Sequence, residues 1–284
     1  MPFFVILILR GDSMYDLAIE AKYYILQNIT TEPKTAIVLG SGLTSIMDEL
    51  TDKVELNYAD IPNFKTSTVK GHTSKLISGK LNGNDVLLMS GRFHYYEGYS
   101  MKDITFPIYV FKLLGIENLI LTNSCGGINT EKLSPGSIMV VNDFINLMPS
   151  NPLIGENNEK FGPRFPDMTE PYDLSLRKLA KEKAKMLNIE YVEGVYTGFM
   201  GPYYETKAEI RMIKTMGSDA VGMSTVPETI VSNYLGIKTL AFATITNMAT
   251  GIQKVKHSHE NVVKIAGEAS KKLALWIKEV VKSI

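Results

Sequence analysis

Residues 35–43, TAIVLGSGL, are a β-branched apolar run that stops on a pair of glycines. Thr35 to Leu39 has the composition of a buried strand. Gly40-Ser41-Gly42 then reads as a tight turn opening a helix that carries Ile46, Met47 and Leu50. Amides at such a helix start attract an anion, and the Ser41 hydroxyl adds a donor. Position 45 is Ser where a dinucleotide fingerprint has glycine, and no P-loop lysine follows. Alone, the turn fits a plain strand-to-helix connection as well as a phosphate site.

The same alternation runs outward in both directions. Asp85–Met89, Asn118–Thr122, Ser137–Val141, Tyr191–Tyr196 and Lys238–Thr246 read as further buried strands. Helical spacing covers Met14–Asn28, Met101–Leu114, Asp173–Leu187, Thr206–Met216, Pro227–Leu235 and His259–Val281. This order predicts a single α/β domain, a mixed, mostly parallel central sheet flanked by helices. Pro149–Pro171 is the longest irregular stretch, and a loop of that length in a compact domain usually has a task. The domain is expected over 14–284. Residues 1–13 read as an N-terminal extension, disordered or an added strand. Their apolar run Phe3–Leu9 is far short of the roughly 18–20 residues of a membrane span, and it lacks the basic flank of a signal peptide.

The 284 residues are 45% hydrophobic and 21% charged, which excludes disordered, collagenous and coiled-coil classes. Thirty basic residues balance thirty acidic ones, which argues against a nucleic-acid or anionic-membrane partner. The single cysteine, Cys125, precludes an intrachain disulfide or a cysteine zinc cluster, and points to a reducing, cytoplasmic setting.

Several polar groups fall at or near strand ends, where open α/β sheets bind ligands. Lys70-Gly71-His72 is one, although His72 by itself reads as a solvated turn residue. Gly91 to Gly98 (GRFHYYEG) is another. Arg92 there offers a planar fork for phosphate, and on a local strand Arg92, His94 and Tyr96 would share one face. Thr122 to Asn129 (TNSCGGIN) is nearly free of bulk, so its amides can approach a ligand, with Cys125 as a small buried filler. Thr206 and Glu209 form a capping box, so Glu205 just before them needs context to be read as functional. Val221 to Thr225 repeats the strand-turn-helix geometry with Ser224 as donor. Thr246-Asn247 closes the long apolar strand KTLAFATI and is placed to face a crevice. The fourteen methionines read as core packing.

Taken together, IVLGSGL, GHTSKL, GRFHYYEGY, LTNSCGGIN, INLMPSNPLIGEN, FGPRFPDM, GPYYETKAEIR, GSDAVGMSTVPE, ITN and SHENVV resemble, in order, the purine nucleoside phosphorylase family, in its trimeric branch acting on 6-oxopurine nucleosides. The ten segments extend over roughly residues 14 to 284. The resemblance implies a nucleoside phosphorylase-like fold, a homotrimer, and cleavage of the N-glycosidic bond by inorganic phosphate as co-substrate, with no metal or organic cofactor. It implies a phosphate pocket of Ser41, His72, Arg92, His94, the Ser124 amide and Ser224. Tyr96, Met223 and His259 would hold the ribose, and Glu205, Asn247 and Tyr204 the base. Phe161 matches the residue that crosses from a neighbouring subunit to cover the sugar. His94, Glu205 and Asn247 are the expected catalytic groups.

The chemistry of those residues agrees. Asn247 can donate to purine N7 as it gains charge. Glu205 accepts from the N1 proton of a 6-oxopurine, and adenine, lacking it, would leave a carboxylate unpaired at a cost of roughly 1–3 kcal/mol or more. Departures from the family pattern are Thr44, Ser124-Cys125, Tyr204 and Met248, which bear on substrate preference. Methylthioadenosine phosphorylase shares the pocket but typically has aspartate where Asn247 stands. A nucleoside-binding protein without turnover is the alternative from another class, and a dinucleotide-dependent oxidoreductase lacks its full fingerprint.

Overall fold

The computed structural model describes residues 13–68, 73–253 and 259–284, excepting the side chains of His259 and Asn261. The extension expected at 1–13 therefore lies outside the described residues, Ser13 apart. Ser13 belongs to the domain: its hydroxyl accepts from the Asp16 amide at 3.3 Å, in a capping box that starts helix α1 (Met14–Asn28).

Strand β1 (Thr35–Val38) sits mid-sheet, parallel to both β4 (Asn84–Ser90) and β5 (Asn118–Gly127). Its alternate residues serve two cores. Ala36 and Val38 join the cluster beneath α1, α2 (Met101–Leu114) and α5 (Val226–Tyr234). Ile37 joins the opposite cluster under α3 (Leu174–Met186) and α6 (His259–Val281). On that second face Trp276 is fully buried against Phe242 and donates its Nε1–H to the Ala180 carbonyl at 2.7 Å.

Nine strands pair in the order β2-β3-β4-β1-β5-β8-β7-β6-β9, with β2 at Thr51–Asn57, β3 at Lys75–Leu81, β6 at Ile138–Leu147, β7 at Val192–Phe199, β8 at Ala220–Gly222 and β9 at Lys238–Met248. Strand β9 also pairs in parallel with β5, so β5, β8, β7, β6 and β9 close into a ring. Antiparallel pairs join β2 to β3, β3 to β4, β5 to β8 and β6 to β9, and the sheet is mixed as expected.

Three local expectations need correction. The turn after β1 does not open an α-helix. Ser45–Glu49 is a short 3-10 turn with no side-chain cap, and Gly42, at φ 76°, is wedged against Ala266 and Val263 of α6. An anion at this turn would therefore meet loop groups and not an α-helix N-terminus. Strand β5 runs on past Thr122 to Gly127, because β9 and β8 keep supplying partners. The sequence reading places no strand at β2 or β3: β2 is mostly exposed, and β3, though largely buried, breaks its apolar run at Ser78-Gly79. The β3–β4 hairpin did carry a sequence signal. Asn82-Gly83 adopts φ 52° and 84°, the left-handed pair of a tight hairpin turn.

Candidate active site

The carboxyl ends of β1 and β4 come out beside the middle of β5, since Val38 pairs with both Met89 and Leu121. The segments that follow β1 and β4, with β5, β8, β9 and the residues before α4 (Lys207–Thr215), wall a cleft with a cavity volume of about 130 Å³. Ser41, Arg92, His94, Tyr96, Ser124, Tyr204, Glu205, Met223, Ser224 and Asn247 all line it. His72 and the side chain of His259 lie outside the described residues.

At one end, two backbones meet closely. A Cβ on Gly40 would stand 2.7 Å from the Asn123 Cα, so only glycine lets this loop lie on β5. The Gly40 amide donates to Thr122 Oγ1 at 3.0 Å, and Ser124 Oγ donates to the Ser41 carbonyl at 2.7 Å. Arg92 is 2% exposed. Its Nη1 donates to Glu228 Oε1 at 3.1 Å and to Thr225 Oγ1 at 3.3 Å, and its Nη2 to the carbonyls of Thr122 and Val38. Thr225, fully buried at φ 74°, also accepts from Asn123 Nδ2 at 2.8 Å. A non-glycine residue in that conformation is a local strain that the surrounding network holds in place.

His94 is not on a strand. It caps the 3-10 turn Tyr95–Glu97, its backbone N–H and its Nδ1 both meeting Glu97 Oε1, at 2.9 and 2.8 Å. Its ring stacks on Tyr96 with centroids 4.7 Å apart. Burial holds the imidazole below the usual histidine range, the Glu97 carboxylate opposing it. Burial also works to raise the Glu97 carboxyl, but donors on His94 and Thr68 outweigh it and bring Glu97 down to about 2. The neutral ring thus has its proton on Nδ1, toward Glu97, and an accepting Nε2.

At the other end, Glu205 is 5% exposed, and burial raises its carboxyl. The parallel β5–β9 register sets Asn247 against Gly126, just past a bulge after Cys125. Thr246 Oγ1 donates to Asn247 Oδ1 at 3.0 Å, which leaves the amide nitrogen as the donor end of the group. Tyr204, 40% exposed, stands at the mouth. Cys125 lines the cleft, yet burial pushes its thiol up, so the nucleophilic thiolate is suppressed.

Phe161 does not line this chain's own cleft. Its ring is 7% exposed and packs on Tyr15 and Tyr109, with centroids at 5.5 and 4.9 Å. Aromatic partners on its own α1 and α2 bury it in place. Sequence reasoning also missed Glu97, Thr225 and Glu228. All three act by holding another side chain, and only Glu97 had a sequence signal, as the third residue of the turn that His94 caps.

Fold and cleft define the class: the chain belongs to the phosphorylase superfamily, whose family profile matches residues 34–282. Within it, the chain is a member of the purine nucleoside phosphorylases. It is 49% identical to purine nucleoside phosphorylase 1 of Bacillus subtilis over 95% of this chain and 98% of that protein. It is 41% identical to purine nucleoside phosphorylase of Bos taurus, over 92% of each. Schistosoma mansoni purine nucleoside phosphorylase, solved in complex with adenosine, superimposes with a TM-score of 0.89 at 36% identity, over 94% of this chain and 96% of that one. Isoform 2 from the same organism, solved with cytosine and ribose-1-phosphate, gives 0.89 at 38%, over 95% and 97%.

Proposed function

We propose that this chain cleaves 6-oxopurine nucleosides such as inosine and guanosine, and their 2′-deoxy forms, to the free base and (deoxy)ribose 1-phosphate in purine salvage. The observation that carries this is a single cleft that gathers Ser41, Ser224, Arg92 and His94 with Glu205 and Asn247. A phosphate oxygen forms the new bond to C1′ as the C1′–N9 bond breaks, and the electron pair leaves with the purine. Charge reaches N7, where the Asn247 amide nitrogen donates, and the proton that the phosphate brought in ends, by way of solvent, on the released base. Glu205 accepts from N1–H. Phosphate is itself the nucleophile, so no residue need form a covalent intermediate, and no metal or organic cofactor is required.

For His94 to donate to phosphate through Nε2, its ring must carry a second proton. A protonated phosphate oxygen can supply it on binding. The resemblance supports a homotrimer, with His72 and His259 completing the phosphate and ribose ends. The charge balance and single cysteine support a cytoplasmic enzyme. Among the described residues no helix is long and apolar enough to cross a membrane, and no group of three or more His, Cys, Asp or Glu could hold a metal.

Hypoxanthine release from inosine, with and without phosphate, tests the reaction, with adenosine and methylthioadenosine alongside. Phosphate-dependent cleavage of inosine, with adenosine poor, is expected. A preference for methylthioadenosine would make it that phosphorylase instead. Release without phosphate would make it a hydrolase, and binding without release a nucleoside-binding protein.

A further inference from the structure

Glu228 lies in the first turn of α5 with 4% of its surface exposed, under the phosphate end of the cleft. It closes the segment GSDAVGMSTVPE, in which the resemblance gave roles to Met223 and Ser224 only. Its carboxylate and the Arg92 guanidinium form a buried ion pair at 3.1 Å, with side chains 5% and 2% exposed. Thr225, three residues earlier, accepts from the same Nη1 and from Asn123 Nδ2. Asn123 and Arg92 both line the cleft. The carboxylate therefore does two things to the group expected to meet phosphate. It fixes the guanidinium between α5 and the ends of β1 and β5. It also offsets, at contact distance, the positive charge that would otherwise confront an incoming anion in a medium of low dielectric.

We infer that Glu228 is a positioning residue for phosphorolysis: through Arg92 it orients the phosphate end of the site and limits how tightly phosphate and sugar phosphate are held. An enzyme whose substrate and product both carry phosphate needs the second effect for release. An unopposed arginine would bind both ground states more tightly with no gain in the chemical step. The inference rests on the phosphorolysis reading.

The test separates charge from placement. Glu228→Gln keeps the shape and one accepting oxygen but removes the charge. Glu228→Asp keeps the charge but withdraws it by one methylene. Steady-state phosphorolysis is measured with phosphate varied at saturating inosine, then with inosine varied at saturating phosphate. Glu228→Gln should lower the KM for phosphate three- to tenfold and lower kcat. Its melting temperature should fall without phosphate and rise more than the wild type's when phosphate is added. Glu228→Asp should raise the phosphate KM at least threefold. The KM for inosine should stay within twofold in both.

A phosphate KM within twofold of wild type in both variants, with only the melting temperature lowered, would make Glu228 a structural group and overturn the inference. Equal shifts in phosphate and inosine KM would do the same. Should Glu228→Gln fail to fold, Glu228→Asp alone decides on the same KM criterion. Phosphate dependence of the wild type is measured first. Its absence would overturn the proposed reaction, a result distinct from any outcome for Glu228.

Discussion

Glu97→Gln probes the group that holds His94. One oxygen of Glu97 receives the His94 backbone N–H and Nδ1, and the other receives the Thr68 amide at 2.6 Å, Thr68 Oγ1 at 2.8 Å and Ser67 Oγ at 3.3 Å. A glutamine can accept on one side only. Its NH2 must then face a set of donors, either those of His94 or those of residues 67 and 68. A hydrogen bond to a charged group contributes about 1.5–3 kcal/mol, so the change should cost about 2–3 kcal/mol. Titration gives a compatible figure. The fall of the Glu97 carboxyl from 4.5 to about 2 corresponds to about 3.4 kcal/mol, reduced to about 2 because Thr68 is exposed and solvent screens that side.

Thermal unfolding at pH 7 should therefore show the variant roughly 4–12 °C below wild type, given roughly 2–4 °C per kcal/mol for a chain of this size. The sign with pH is definite. A depressed carboxyl stabilises above about 4.5 and loses that contribution as pH falls toward about 2, so the gap should narrow on acidification. With the His94 ring unmoored, the phosphate KM should rise about tenfold, a loss near 1.4 kcal/mol, and more than the inosine KM. A melting temperature within 1 °C of wild type, or a gap that widens below pH 4.5, would refute this account of the His94–Glu97 pair.

Three further outcomes follow from the same geometry. Asn247→Asp replaces the proposed N7 donor with a carboxylate and should lower kcat on inosine by about 10²–10³, as removal of one preorganised donor does, while relatively favouring adenosine; equal losses on both would remove the N7 role. Ser124→Ala cuts the 2.7 Å tie to the Ser41 carbonyl, at about 1 kcal/mol. Phosphate KM should rise several-fold with kcat nearly kept, and an unchanged KM would make the tie incidental. Because burial raises the Glu205 carboxyl, kcat/KM for inosine should fall, as pH is lowered, above the ordinary carboxylate range. The pH profile of Glu205→Gln should lack that limb, and a retained limb would assign it elsewhere.

The sequence by itself carried the class of fold and most of the candidate residues that line the cleft. Among the described residues, periodicity located the six α-helices to within a residue or so, helped where a helix such as α4 buries one face and where it begins on a capping box, as with Ser100 and Asp103 or Thr206 and Glu209. Arg92, Glu205 and Asn247 were legible as polar residues at or near the ends of elements, where a cleft forms. Tertiary structure decided what those residues lean on. Glu228 reaches Arg92 across 136 positions of sequence, and Thr225 reaches Asn123 across 102. No local pattern encodes such a pairing, since it exists only once β1, β4, β5 and α5 have packed. The same holds for the ring closed by β9 on β5, and for Phe161, whose place depends on which aromatic partners the finished core presents to it. Local sequence dictates which backbone shape each segment prefers and which of its faces avoids water. Only the folded chain brings distant side chains to within hydrogen-bond distance, and the site's electrostatics are set there.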